Sequence, residues 1–184
     1  MKIIETPIKD LLVIQPQVFN DSRGYFFESF NQKKFNELTG GNTNFVQDNQ
    51  AYSTFGVLRG LHYQLNPFSQ AKLVSVLHGK VLDVAVDVRK GSATYGKHFS
   101  IELSDENKTQ LFVPRGFAHG YVVLSKAAHF FYKCDNFYSK ENEGGIAFND
   151  ASLNINWQID LSQAILSDKD VILPNLSESK NNFE

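Results

Sequence analysis

The sequence predicts an all-β fold, a double-sheet jelly roll carrying one or two short helices. Three observations point there. Short apolar–polar alternations recur along the chain, Gly, Pro and Asn punctuate them, and aromatic residues abound, with 16 Phe and 7 Tyr against one Trp. A period of two puts successive side chains on opposite faces of a strand. Aromatic rings fit pleated surfaces and ring-lined pockets, and many strands with few helices pack as two sheets.

From the N-terminus, strands are expected at 24–30 and 45–53. Between them lies the one clear helix, 32–39, in which Phe35 and Leu38 share a face and Gly40-Gly41 supplies a stop. A strand at 73–77 is joined by His78-Gly79-Lys80, a hairpin-length connection, to the clearest strand, 80–88. There Leu82, Val84, Val86 and Val88 occupy one face and Asp83, Ala85 and Asp87 the other. Further strands are expected at 99–103, 120–124 and 129–134, and a second short helical stretch at 162–166. No repeat or linker divides residues 1–176, which read as one domain of ordinary size. Residues 177–184 are polar and are expected to fray.

Eighteen Lys+Arg against 20 Asp+Glu give a net charge of −2, without a basic run that would serve nucleic acid. The single cysteine, Cys134, cannot form an internal disulfide and reads as a small semi-buried strand residue. The opening Met1-Lys2-Ile3-Ile4-Glu5 lacks the apolar stretch of a signal peptide, and no segment has membrane-spanning length. A cytoplasmic protein with no membrane partner is expected.

Pro114-Arg115-Gly116-Phe117-Ala118-His119 has the form P-x-G-x-x-H and resembles the second short motif of the cupins, a jelly-roll class in which that histidine often binds a metal. A metal-binding cupin also shows H-x-H followed by Glu. Here the nearest match is His62-Tyr63-Gln64 with Lys72 beyond it. Gln is a poor ligand and Lys is cationic at neutral pH, and His78, His98 and His129 stand alone. A cupin-like double-stranded β-helix without metal or cofactor is therefore expected. His62 and Lys72 taken singly could be silent, hydrogen-bonded core residues.

They belong to a larger set. The chain carries Asp21-Ser22-Arg23-Gly24-Tyr25-Phe26-Phe27-Glu28, Gln47-Asp48-Asn49-Gln50, Arg59-Gly60-Leu61-His62-Tyr63-Gln64, Gln70-Ala71-Lys72, Tyr132-Lys133-Cys134 with Tyr138, Glu143-Gly144-Gly145, and Lys169-Asp170. In order and spacing these resemble the dTDP-4-dehydrorhamnose 3,5-epimerase family over residues 3–173. The resemblance implies His62 as general base, Asp170 as its orienting carboxylate, Tyr132 as general acid, and Lys72 beside the C4 carbonyl oxygen. It implies Arg23, Arg59 and His119 on the diphosphate and sugar, and Glu28, Gln47, Asp48, Asn49, Glu143 and Lys169 as further binding groups. Phe26 and Tyr138 would pack on thymine. It also implies a homodimer in which the N-terminal strand region crosses to the partner, and a dTDP-4-keto-6-deoxyhexose as substrate.

The chemistry explains those residue types. A C4 ketone acidifies the hydrogens on C3 and C5, and the enolate formed by their loss gathers charge on O4, where a partly desolvated ammonium is an effective stabiliser. Inversion then needs a proton on the opposite face, so two groups must flank the ring: a histidine to take one and a tyrosine to give one. An arginine suits a diphosphate through its bidentate fork. Single-position epimerisation, sugar-nucleotide binding without turnover, and metal-dependent cupin chemistry are the alternatives. Ser75, Phe148, Ala151 and Ser139-Lys140 depart from the family pattern. None of them is among the proposed acid, base or lysine.

Overall fold

Two antiparallel sheets face one another across a shared apolar core in a computed structural model that describes residues 1–184. The elements run β1 (Lys2–Glu5), β2 (Leu12–Gln15), β3 (Phe19–Asp21), β4 (Gly24–Phe26), α1 (Gln32–Thr39), β5 (Gln47–Thr54), β6 (Leu58–Gln64) and β7 (Lys72–His78). They continue β8 (Lys80–Asp87), β9 (His98–Ser104), β10 (Gln110–Val113), β11 (Phe117–Val123), β12 (Ala127–Cys134), β13 (Glu143–Gly145) and a one-turn α2 (Asp168–Val171). One sheet has the order β1-β2-β10-β7-β12-β5, the other β13-β6-β11-β8-β9. The hairpin β3–β4 pairs only with itself and stands apart from both. The two sheets stay separate, so this is a cupin-like sandwich.

The alternation in β8 shows how the layers form. Val81 and Ala85 join Val74, Val76, Leu111 and Phe130 of the facing sheet in the central core. Leu82, Val84 and Val86 point the other way, where Trp157, Leu153, Ile146 and Phe183 of the C-terminal segment cover them. Both faces of β8 are thus buried, and Asp83 and Asp87 lie fully buried on the inner face. The outer side of the six-stranded sheet is partly covered by α1. Asn31 caps this helix, its Oδ1 accepting from the Lys34 N–H at 3.1 Å, and Gly40 ends it at φ +66°. Its Phe35 is buried edge-on against Phe45 and Phe112.

The structure departs from the expected elements in several places. The strand at 24–30 stops at Phe26, and the helical stretch at 162–166 is a single 3₁₀ turn, Leu161–Gln163. After that turn Ile165 bridges Val57. β1, β2, β3, β10 and β13 lie outside the expected strands; β10 is buried on both faces and so lacks the alternation that marks a strand. Residues 177–184 lie against the body. Phe183 is buried and packs edge-on to Tyr63, Asn182 and Asn66 exchange hydrogen bonds, and Asn181 donates to the Val88 carbonyl.

Candidate active site

Period-two alternation on four strands builds one polar cavity of about 730 Å³ between the sheets. From the six-stranded sheet, β12 contributes Phe130, Tyr132 and Cys134, paired in register with Ala51, Asn49 and Gln47 of β5, and all six line the cavity. From the five-stranded sheet, His62 of β6 lies directly opposite His119 of β11. Gly60 allows that pairing. Its φ is +123°, and a Cβ there would lie 2.6 Å from the Cα of Gly120 and 2.8 Å from the carbonyl oxygen of His119. The glycine of Arg59-Gly60-Leu61-His62 is therefore a close-approach residue that brings β6 onto β11.

Each histidine meets one carboxylate. His62 Nε2 is 2.5 Å from Asp170 Oδ1, and the other carboxylate oxygen accepts from Ser167 Oγ at 2.6 Å. Burial opposes ionisation of Asp170, but the hydrogen bonds from His62 and Ser167 outweigh it and hold its carboxyl below the usual carboxylate range. With Nε2–H committed to an ionised Asp170, the lone pair sits on Nδ1, which is then the basic nitrogen. His119 Nε2 lies 3.0 Å from both oxygens of the fully buried Asp83, a diagonal neighbour on β8. No three His, Cys, Asp or Glu side chains converge as a metal-holding group.

Lys72 and Tyr132 complete the polar wall. Lys72 touches solvent only in part, and burial depresses its pKa below the ordinary lysine value. Its ammonium is 5.9 Å from the centroid of the Tyr132 ring. Burial likewise pushes the Tyr132 phenol up to about 12, so it stays a neutral O–H donor at any physiological pH. Cys134, 1% exposed, accepts weakly from Asn49 Nδ2 at 3.7 Å, and burial raises its thiol to about 11, which keeps it protonated.

At the rim, Lys169 Nζ pairs with Glu143 Oε1 at 2.6 Å, and the half-exposed Tyr138 hydroxyl donates to Glu143 Oε2 at 3.4 Å. Arg59 lines the cavity with Nε donating to Ser53 Oγ at 3.2 Å, and Gln47 Nε2 donates to Asn49 Oδ1 at 3.0 Å. Gln64, the residue in the cupin ligand position, accepts from the Ser139 N–H through Oε1 at 2.8 Å.

Four expected binding residues lie outside this cavity. Asp48 is next to Gln47 and Asn49 but one residue out of phase, so it points to the other face and pairs with Lys133 at 2.9 Å. Asp48 therefore does not line this cavity. Arg23 and Phe26 belong to the separate β3–β4 hairpin. The Arg23 side chain is 88% exposed and pairs with Asp21, and Phe26 is 70% exposed. Glu28 lies beyond that hairpin and pairs with Lys34 at 2.8 Å. Within one chain these three do not reach the cavity.

Sequence reasoning missed Asp83 and Ser167 as partners of the histidine dyads. Asp83 left a signal, a carboxylate in the middle of the strictly alternating strand β8; Ser167 left none beyond its place three residues before Asp170.

The sequence matches the family model described as dTDP-4-dehydrorhamnose 3,5-epimerase over residues 5–178. It is 56% identical over 171 residues to the dTDP-4-dehydrorhamnose 3,5-epimerase of Shigella flexneri, covering 93% of both chains. Among solved structures it is similar to that of the dTDP-4-dehydrorhamnose 3,5-epimerase of Elizabethkingia anophelis NUHP1, with a TM-score of 0.94, 58% identity and 99% of both chains covered. It is also similar to the dTDP-6-deoxy-D-glucose-3,5-epimerase of Legionella pneumophila Philadelphia 1 in complex with dTDP-4-keto-L-rhamnose. There the TM-score is 0.93 and the identity 48%, over 96% of this chain and 93% of that one. With identity this high over nearly its whole length, the chain belongs to the dTDP-4-dehydrorhamnose 3,5-epimerase family.

Proposed function

We propose that this protein converts dTDP-4-dehydro-6-deoxy-D-glucose to dTDP-4-dehydro-L-rhamnose by inverting C3 and C5 through enolates. The observation that carries the reading is the opposition of acid and base. His62 comes from one sheet, backed by Asp170 of α2, and Tyr132 comes from the other, and all three line a single cavity. His62 takes the proton from carbon, its conjugate acid stabilised by Asp170. Lys72 stabilises the charge gathering on O4, and Tyr132 returns a proton from the opposite face. Arg59 and His119 hold the diphosphate and sugar, with Gln47, Asn49, Glu143 and Lys169 as further polar contacts and Tyr138 stacking on thymine.

The same reading assigns a homodimer in the cytoplasm, in which the β3–β4 hairpin reaches the partner's cavity. It would bring Arg23, Phe26 and Glu28 of the partner subunit to the nucleotide. The exposed Phe19, Tyr25 and Phe26 of that hairpin support it, since three large apolar side chains on one isolated hairpin are costly to leave in water. Mixing Arg23→Ala with His62→Ala subunits tests it. A mixed dimer holds one intact cavity and regains activity that neither variant has alone; mixtures as inactive as their parts refute the exchange. The activity itself is tested by incubating the protein with dTDP-4-dehydro-6-deoxy-D-glucose and identifying the product by NMR. The L-rhamno product, absent with His62→Ala, is expected; recovery of unchanged substrate refutes the proposal.

A further inference from the structure

We infer that Ser167 is a positioning residue for proton abstraction, holding the Asp170 carboxylate so that Oδ1 faces His62 Nε2. The inference rests on the epimerase reading above and adds a member to its proton-transfer apparatus.

Ser167 occupies the N-cap of α2, with Asp170 three positions on. A serine there ordinarily accepts a hydrogen bond through Oγ from an N–H of the first turn. Here its side chain makes no such bond. Instead the hydroxyl donates 2.6 Å to Asp170 Oδ2, while the Asp170 N–H is taken by the Ser167 backbone carbonyl at 2.9 Å. The hydroxyl is thus free to act on the carboxylate alone.

Position and chemistry agree. A carboxylate on one short turn can rotate about its side-chain bonds, and only a second donor fixes both oxygens. Ser167 and His62 occupy one oxygen each, at 2.6 and 2.5 Å, and the Ser167 bond has the length of a hydroxyl bonded to an ionised carboxylate. Asp170 is 3% exposed, so water does not readily replace a lost donor. Ser167 itself is exposed and lines the cavity, which leaves room for substitution without disturbing the core. The bond also favours the ionised carboxylate, the form that keeps the proton on Nε2 and the lone pair on Nδ1.

The test compares wild type, Ser167→Ala and Ser167→Thr. Ser167→Ala is expected to lower kcat by roughly tenfold with little change in KM, because the perturbed bond serves the chemical step rather than binding. Asp170 loses a donor that lowers its pKa, so the acid limb of the kcat/KM profile, which the dyad sets as a pair, moves to higher pH. Ser167→Thr, which keeps the hydroxyl, restores both. Ring-nitrogen NMR of His62 gives a readout without turnover: the Nε2–H tautomer dominates in wild type and Ser167→Thr and is mixed in Ser167→Ala. A Ser167→Ala enzyme with wild-type kcat, acid limb and His62 tautomer overturns the inference. So does equal impairment of the Ala and Thr variants with lowered melting temperatures, which marks a structural role. An inactive wild type with a Ser167-dependent tautomer overturns the epimerase reading and leaves the positioning role of Ser167 standing.

Discussion

Replacing Lys72 by Met removes a charge while keeping most of the side chain's length, so it isolates the electrostatic contribution to the reaction. The Lys72 ammonium is partly withdrawn from water, and burial lowers its pKa despite the opposing pull of Cys134, Asp83 and Glu143. A charge in that setting acts on a nearby oxyanion with an effective dielectric well below that of water. At about 4 Å and a dielectric of about 20 the interaction is about 4 kcal/mol. One decade of rate costs about 1.4 kcal/mol, so Lys72→Met should lower kcat/KM by about 10²–10³-fold. The assay is kcat/KM for the 4-keto sugar nucleotide across pH, with Lys72→Arg beside it. A lysine that must be charged gives a basic limb below the ordinary lysine range, about 10.4. Tyr132, held up to about 12, is still protonated there and cannot supply that limb. Lys72→Arg keeps the charge and should move the limb to higher pH. A Lys72→Met enzyme with less than about a tenfold loss would refute the electrostatic assignment, as would a basic limb unmoved by Lys72→Arg.

Three further outcomes follow from the geometry. Tyr132→Phe should retain solvent exchange of the proton that His62 removes but lose inversion, with turnover to product down by about 10²–10⁴-fold; NMR of substrate recovered from deuterated water separates the two. Asp87 is fully buried and accepts from Arg89 Nε at 2.9 Å, Ser92 Oγ at 2.6 Å and Thr94 Oγ1 at 2.7 Å. Asp87→Ala leaves Arg89 paired with Asp10 at 2.9 Å but removes the acceptor shared by Arg89, Ser92 and Thr94, and should cost about 1–3 kcal/mol, lowering the melting temperature by several degrees. Burial resists ionisation of Asp87, yet those donors hold its carboxyl below the usual range. Its stabilisation is therefore present above the unfolded carboxylate pKa of about 3.9 and is lost as pH falls through the lower folded value. Acid titration of wild type against Asp87→Asn, followed by circular dichroism, checks the sign.

What the chain discloses before it folds depends on which physical pattern each residue obeys. The strand from Lys80 was legible because its alternation is strict, and Asp83 and Asp87 fell on the inner face as that alternation requires. β10 was not legible, because a strand buried on both faces has no polar phase. His62, Lys72, Arg59 and Tyr132 were legible as a set through the motifs they sit in, and the cavity gathers all four. Asp48 shares a motif with Gln47 and Asn49, but the period of two sends it to the opposite face from them. Ser167 was hidden for a different reason. Its bond to Asp170 depends on the hydroxyl donating rather than capping, and residue type alone leaves that direction open. The docking of the tail is not legible from its polarity, because it rests on Phe183 and on the hydrogen bonds of Asn181 and Asn182.

The central claim is that one cavity removes a proton from carbon on one side of a 4-keto sugar and returns one on the other. Deuterium incorporation tests it most directly. With wild-type protein and dTDP-4-dehydro-6-deoxy-D-glucose in deuterated water, NMR should show solvent deuterium at both C3 and C5 of the inverted product, and none with His62→Ala. Deuterium at one carbon alone would restrict the enzyme to a single inversion, and its absence from both would contradict the account.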